Sequence, residues 1–227
     1  MRGIVLACGN TAIDNQLPSV AHSDEFAVRQ LPARPGKAEV DPVLAELAGG
    51  RLVVWGTDAD LAAVALRLLR TERLGEVAVG YVPAEPDSAV AGLWGLPDRP
   101  EQVWRLALAG EPDPVPLIRD DVGGVLLGRG VLAPVRGVGY CDDELVLRGQ
   151  ASRIEVTPDP AGGAGLVVRV VRRRLLVQRA TSTPGRAFQL GCLPVTPISD
   201  GVRHPRLVNR WTWYRHTEDL RLVRGLV

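Results

Sequence analysis

Arg51-Leu-Val-Val-Trp55, Gly56-Thr-Asp-Ala-Asp60 and the run over 61–69 read together as a strand, a tight loop and a helix. Leu61, Val64, Ala65, Leu68 and Leu69 fall at the i, i+3, i+4, i+7, i+8 spacing that places them on one helical face. A buried strand that turns tightly into a helix is where many α/β proteins hold phosphate. Backbone N–H groups point out of such a turn, and the helix N-terminus adds positive partial charge. This loop has a single glycine, Gly56, and two carboxylates, Asp58 and Asp60. Carboxylates repel phosphate unless a cation compensates, so the loop is a phosphate cradle in outline and an awkward one in chemistry.

Outward from this stretch, the first half alternates strands and helices. Short strands are predicted over 3–7, 26–31 and 77–82. Asp41-Pro42 reads as an N-cap followed by proline at the first helical position, opening a helix over 43–47 that stops at Gly49-Gly50. A short helix over 88–93 and a longer one over 99–109 follow. Strands alternating with helices imply parallel pairing in a layered sheet. From about Pro114 the pattern becomes short strands split by Gly and Pro, over 115–118, 124–127, 144–147, 153–157, 165–171, 175–179 and 187–191. That spacing argues for a sandwich or barrel. The expected architecture is α/β, with an N-terminal layered parallel-sheet, Rossmann-like domain over 1–112 and a C-terminal β-sandwich domain over 113–227.

Composition narrows the function. The 227 residues carry a net charge of +1, so no global field favours nucleic acid. Lys37 is the single lysine, so arginine is the default cation and an arginine run is weak evidence of a special role. Cys8, Cys141 and Cys192 show neither metal-ligand spacing nor a disulfide framework, which fits a reducing, cytoplasmic setting. Residues 1–7 are too short an apolar start for a signal peptide, and no apolar run approaches the ~20 residues of a transmembrane segment.

The order of elements and two loops resemble the diacylglycerol kinase and sphingosine kinase-like superfamily, which includes the NAD kinases. Its first motif, Gly-Gly-Asp-Gly-Thr after a strand, aligns with Gly56-Thr57-Asp58-Ala59-Asp60. Its second motif has the length, without a gap, of Pro83-Ala-Glu-Pro-Asp-Ser-Ala-Val-Ala-Gly-Leu-Trp-Gly-Leu-Pro97, with Pro83, Ala91, Gly95 and Leu96-Pro97 in frame. Asp200-Gly201 corresponds to an Asp-Gly-Glu of some members, with Val202 in place of the glutamate. The resemblance spans roughly residues 51–117; beyond that it is one of kind.

The resemblance implies a nucleotide site at Gly56, Thr57, Asp58 and Glu85, a catalytic Asp200, ATP and Mg²⁺ as cofactors, and a cleft between the domains. The departures fall on that chemistry. Family glycines become Thr57, Ala59, Glu85 and Asp87, and the Asn-Asp pair becomes Ser88-Ala89. At an effective dielectric of ~20, two like charges 4 Å apart repel by about 4 kcal/mol. Phosphoryl transfer rests almost wholly on positioning and electrostatics. The expectation is therefore a non-catalytic lipid kinase-like protein that retains no cofactor and binds a nucleotide, lipid or protein partner. The alternative is an active ATP-dependent, diacylglycerol-type lipid kinase.

Each residue also has a plainer reading. Asp58 or Asp60 caps the helix from Leu61. Glu85 and Asp87 either form an acidic cluster with Asp58 or favour the start of the next helix. Asp200 sits in a Ser-Asp-Gly turn. Arg169-Val-Val-Arg-Arg-Arg174 offers peripheral membrane contact with anionic head groups, or is a solvated strand face. Trp211 and Trp213 share a strand face, as a ligand wall or as core.

Overall fold

The computed structural model describes residues 3–9, 25–47, 50–174 and 177–225, with Arg174 described by its backbone alone. The chain divides into two compact units, Met1–Val115 with Glu218–Val227, and Pro116–Thr217. The first unit contains β1 (Gly3–Cys8), β2 (Phe26–Leu31), α1 (Lys37–Glu46), β3 (Arg51–Gly56), α2 (Asp58–Arg70), β4 (Ala78–Pro83), α3 (Ala89–Leu93), α4 (Pro100–Ala109), β5 (Pro112–Val115) and the C-terminal β18 (Leu220–Val223). Its six-stranded sheet runs β2-β1-β3-β4-β18-β5. The first five strands of that order pair in parallel, and β5 closes the edge antiparallel to β18.

All six residues of β1 are buried, as expected of a parallel strand covered on both faces. One core cluster joins Val5, Ala7, Val53, Trp55 and Val82 of the sheet to Val103, Trp104, Ala107 and Leu108 of α4. Trp55 and Trp104 meet edge to face, 5.3 Å between centroids. Gly80 lets α4 lie this close, since a Cβ there would run into the backbone carbonyl of Ala107. Neither partner is a flexible side chain. Gly80→Ala is expected to cost about 1–3 kcal/mol by overpacking, read as a lower midpoint in urea with an unchanged slope.

Two expectations are corrected here. The helix that precedes β3 begins at Lys37, not Val43. Gly36 is its N-cap, and the Gly36 N–H donates to Glu39 Oε2 at 2.8 Å, so Pro42 lies inside the helix. Asp41 therefore caps nothing. It forms a two-bond ion pair with Arg67 of α2, and that guanidinium holds its carboxyl below the usual range. Secondly, the segment after residue 217 does not stay with the β-rich unit. Arg221 and Leu222 pair with Pro114 and Asp113, and Leu222 with Val79, so β18 fills the place between β4 and β5.

The second unit is antiparallel throughout. One sheet comprises β6 (Ile118–Asp120), β7 (Val125–Leu126), β9 (Val135–Cys141), β10 (Glu144–Ala151), β14 (Ala187–Val195) and β17 (Val208–Arg215), in the order β10-β9-β14-β17-β6-β7. The other comprises β8 (Gly130–Leu132), β11 (Arg153–Pro158), β12 (Leu166–Arg174), β13 (Val177–Gly185), β15 (Ile198–Ser199) and β16 (Val202–Arg203), in the order β13-β12-β11-β8-β15-β16. Both contribute to one core, with Leu147, Phe188, Leu190, Trp211 and Trp213 from the first and Leu132, Ile154, Val156 and Val168 from the second. Trp211 and Trp213 thus serve as core. They contact each other edge to face at 5.9 Å, and Trp213 stacks with Phe188.

Candidate functional site

Because β3 and β4 are parallel neighbours, their carboxyl ends and following loops lie side by side. Gly56 pairs with Pro83, and the Ala84 N–H donates to the Gly56 carbonyl at 2.8 Å. Carboxyl ends of parallel strands are where ligands bind in such sheets.

The first loop is closed by its own side chains. Thr57 is the N-cap of α2, and Asp60, at the third helical position, returns the bond in a capping box. The Asp60 carboxylate accepts from the Thr57 N–H and hydroxyl, both at 2.8 Å, and from the Arg34 N–H at 2.6 Å. It is buried, and it rests on Gly56, where a Cβ would come 2.6 Å from Asp60 Oδ2. A side chain at position 56 would therefore collide with the Asp60 carboxylate. Thr57, expected in a nucleotide site, is a cap.

Asp58 reaches in the other direction. Its carboxylate accepts from the Tyr81 hydroxyl at 2.9 Å, from the Ser88 hydroxyl, from the Ala89 N–H at 2.7 Å and from the Val90 N–H at 3.3 Å. Ala89 and Val90 open α3, so an internal carboxylate covers the exposed donors at that helix start. Ser88 completes the arrangement as N-cap, accepting from the Ala91 N–H. The helix after Trp55 begins at Asp58 rather than Leu61 and its N-cap is Thr57, not Asp58 or Asp60; Asp60 contributes from the third helical position, where its carboxylate reaches back to the cap. Asp58 instead joins the two loops.

Glu85 and Asp87 are exposed at the tip of the second loop. Among the described residues no three His, Cys, Asp or Glu side chains are placed to hold a metal, so the acidic cluster with Asp58 does not assemble. Tyr81 and Arg34 were not among the residues expected here. Tyr81 alone carried a signal, a hydroxyl-bearing aromatic in an otherwise apolar strand.

Two protons nearby are held tightly. Burial, with Asp60 second, pushes the Cys8 thiol up to about 12. Burial, with Asp58 second, raises the Tyr81 hydroxyl well above its ordinary value. The native state keeps protons that the unfolded chain releases, so stability is expected to fall as pH climbs above about 9. A denaturant series from pH 8 to 11 measures this, and Cys8→Ala should flatten the lower part of the decline. Cys8 is also expected to react slowly. Burial disfavours its thiolate, so mass-spectrometric labelling at pH 8 should reach the partly exposed Cys192 first.

Asp200 lies in the second unit, at the turn between β15 and β16. Its φ of 46° and the 81° of Gly201 suit a two-residue hairpin turn. Its buried carboxylate accepts from the backbone N–H groups of Leu127, Gly128 and Arg129 at 2.8–2.9 Å. It holds the 127–129 segment by its backbone.

The chain shares its fold with diacylglycerol kinase and NAD kinase structures. It aligns with the crystal structure of a diacylglycerol kinase from Bacillus anthracis str. Sterne at TM-score 0.70 and 11% identity, over 99% of this chain and 97% of that one. An NAD kinase from Archaeoglobus fulgidus in complex with ATP aligns at TM-score 0.60 and 11% identity, covering 98% and 93%. Yeast NADH kinase complexed with NADH aligns at 0.55 and 9%, covering 100% and 84%. No family model and no curated protein matches the sequence.

Proposed function

We propose that this chain is a non-catalytic member of the lipid kinase-like group, whose phosphate loops have become a structural joint and whose role is to bind a lipid or protein partner. One observation carries the reading. The N–H groups of Ala89, Val90 and Thr57, which a phosphate would need, already donate to Asp58 and Asp60 of the same chain. A triphosphate would have to displace two carboxylates that are in place before it arrives, and would meet Glu85 and Asp87 beyond them. ATP and Mg²⁺ do not fit this residue set. On this reading the second unit is a β-sandwich, and Asp200 is an anchor in it.

A ligand that binds only the folded state raises its midpoint by mass action. ATP, ADP and NAD, each with and without Mg²⁺, are therefore expected to leave the thermal transition where it is. A shift with ATP–Mg²⁺, or labelled phosphate appearing on diacylglycerol, ceramide or a sphingoid base, would replace this reading with that of an active lipid kinase.

A further inference from the structure

We propose that the outer face of the sheet β10-β9-β14-β17 docks the second unit onto an anionic lipid bilayer; this goes beyond the function proposed above and does not depend on it. Residues paired across an antiparallel ladder share a face. One row of this face is Arg148, Val138, Gly191 and Arg210; the next is Leu145, Tyr140, Gln189 and Thr212; Gln150 and Arg136 pair on the side of Val138. The alternate residues, Cys141, Leu190, Trp211 and Trp213 among them, point into the core. Val138, Tyr140 and Leu145 are about 40% exposed (39%, 42% and 42%), and Leu193, further along β14, is 60% exposed. Folding has left large apolar side chains outside on neighbouring strands.

The charge on these rows has one sign. Arg136, Arg148 and Arg210 are exposed, and no carboxylate lies within ion-pair distance of any of them among the described residues. The nearest acids in sequence sit in the β9–β10 turn. Of these, Asp142 accepts from the Arg186 and Ala187 N–H groups and Glu144 from the Thr183 hydroxyl, while Asp143 is exposed at the tip of the turn, off the two rows. Three free guanidinium groups set around valine, leucine and tyrosine match a bilayer surface, which presents anionic head groups above hydrocarbon. A nucleic acid would use the arginines but leave the aliphatic residues without a partner. A second copy packed face to face would bring arginine against arginine with no acid between them. The arginine run of β12 is the weaker surface, because Arg169 is paired with Glu155 and Arg172 donates to the Val146 carbonyl.

Vesicle flotation tests this with the full chain, on phosphatidylcholine alone and on phosphatidylcholine with 30% phosphatidylserine, a fraction set at roughly the anionic content that gives a strong surface potential. Wild type should float with the anionic vesicles only, and less so as salt rises. Each of Arg148→Glu and Arg210→Glu should cut binding about fivefold or more. Leu145→Ser with Tyr140→Ser should weaken it at unchanged thermal midpoint, while Arg173→Glu should have little effect. Equal binding to neutral vesicles, or undiminished binding by the Arg148/Arg210 double variant, would overturn the proposal. So would a dimer in solution lost in Leu145→Ser, or tighter binding to single-stranded RNA than to vesicles.

Discussion

Replacing Asp200 by alanine should destabilise the second unit by about 2–5 kcal/mol, the largest effect expected of any single substitution here. The carboxylate is the acceptor for three consecutive backbone N–H groups, and two of those residues, Leu127 and Gly128, are themselves buried. A buried donor left without an acceptor forfeits the full desolvation cost of that group, about 1–3 kcal/mol each, and relaxation of the segment recovers part of the sum. Alanine also tolerates a φ of 46° less well than aspartate does. Asp200→Asn keeps one oxygen and the turn preference, so it should lose roughly half as much. Chemical denaturation followed by tryptophan fluorescence measures both, with Trp211 and Trp213 in the same core as reporters. Were Asp200 a catalytic base instead, Asp200→Asn would fold with wild-type stability and fail only in an activity assay.

Asp58→Ala separates the two functional readings in the first unit. The half-buried carboxylate gathers four donors, among them the hydroxyl of Tyr81, a residue only 1% exposed. Its removal unties the loop after β3 from the start of α3, with an expected loss of about 2–4 kcal/mol and a fall in midpoint of roughly 4–16 °C. Tyr81→Phe deletes one of the four donors, a hydroxyl that also lies 3.1 Å from the Gly56 carbonyl, and should cost about 1 kcal/mol. A residue kept for metal and phosphate would behave oppositely. Its alanine variant would be as stable as wild type, or more so, because a charge held for function would be gone. Calorimetry on the two variants decides between joint and active site without a substrate.

The alternation of apolar runs with amphipathic helices was legible because burial on both faces forces continuous hydrophobic strands, and those runs stand out in β1, β3 and β4. Much of the second unit was legible as well, since Gly and Pro punctuate its hairpins. The start of α1 was misplaced because Asp-Pro imitates a helix opening. The real cap is Gly36 answered by Glu39, a signal confined to two residues three apart. The strand β18 was missed for a different reason. Four residues carry too little pattern, and their place between β4 and β5 depends on contacts more than a hundred residues away in sequence. The site divides along similar lines. Asp60 in a capping box was within reach, since its bonds are local. The bonds of Asp58 to Tyr81, Ser88 and Ala89 span 23–31 residues and exist only because parallel pairing sets Gly56 beside Pro83.

By itself the sequence determined that Gly56-Thr-Asp-Ala-Asp60 joins a buried strand to an amphipathic helix and carries two carboxylates, because hydrophobic period and residue type are enough to say that much. Only the tertiary structure decided what the acids do. A carboxylate is stabilised by whichever donors surround it. The donors around Asp58 and Asp60 are the chain's own backbone N–H groups and hydroxyls, brought within 3.3 Å by the register of two neighbouring strands and the caps of two helices.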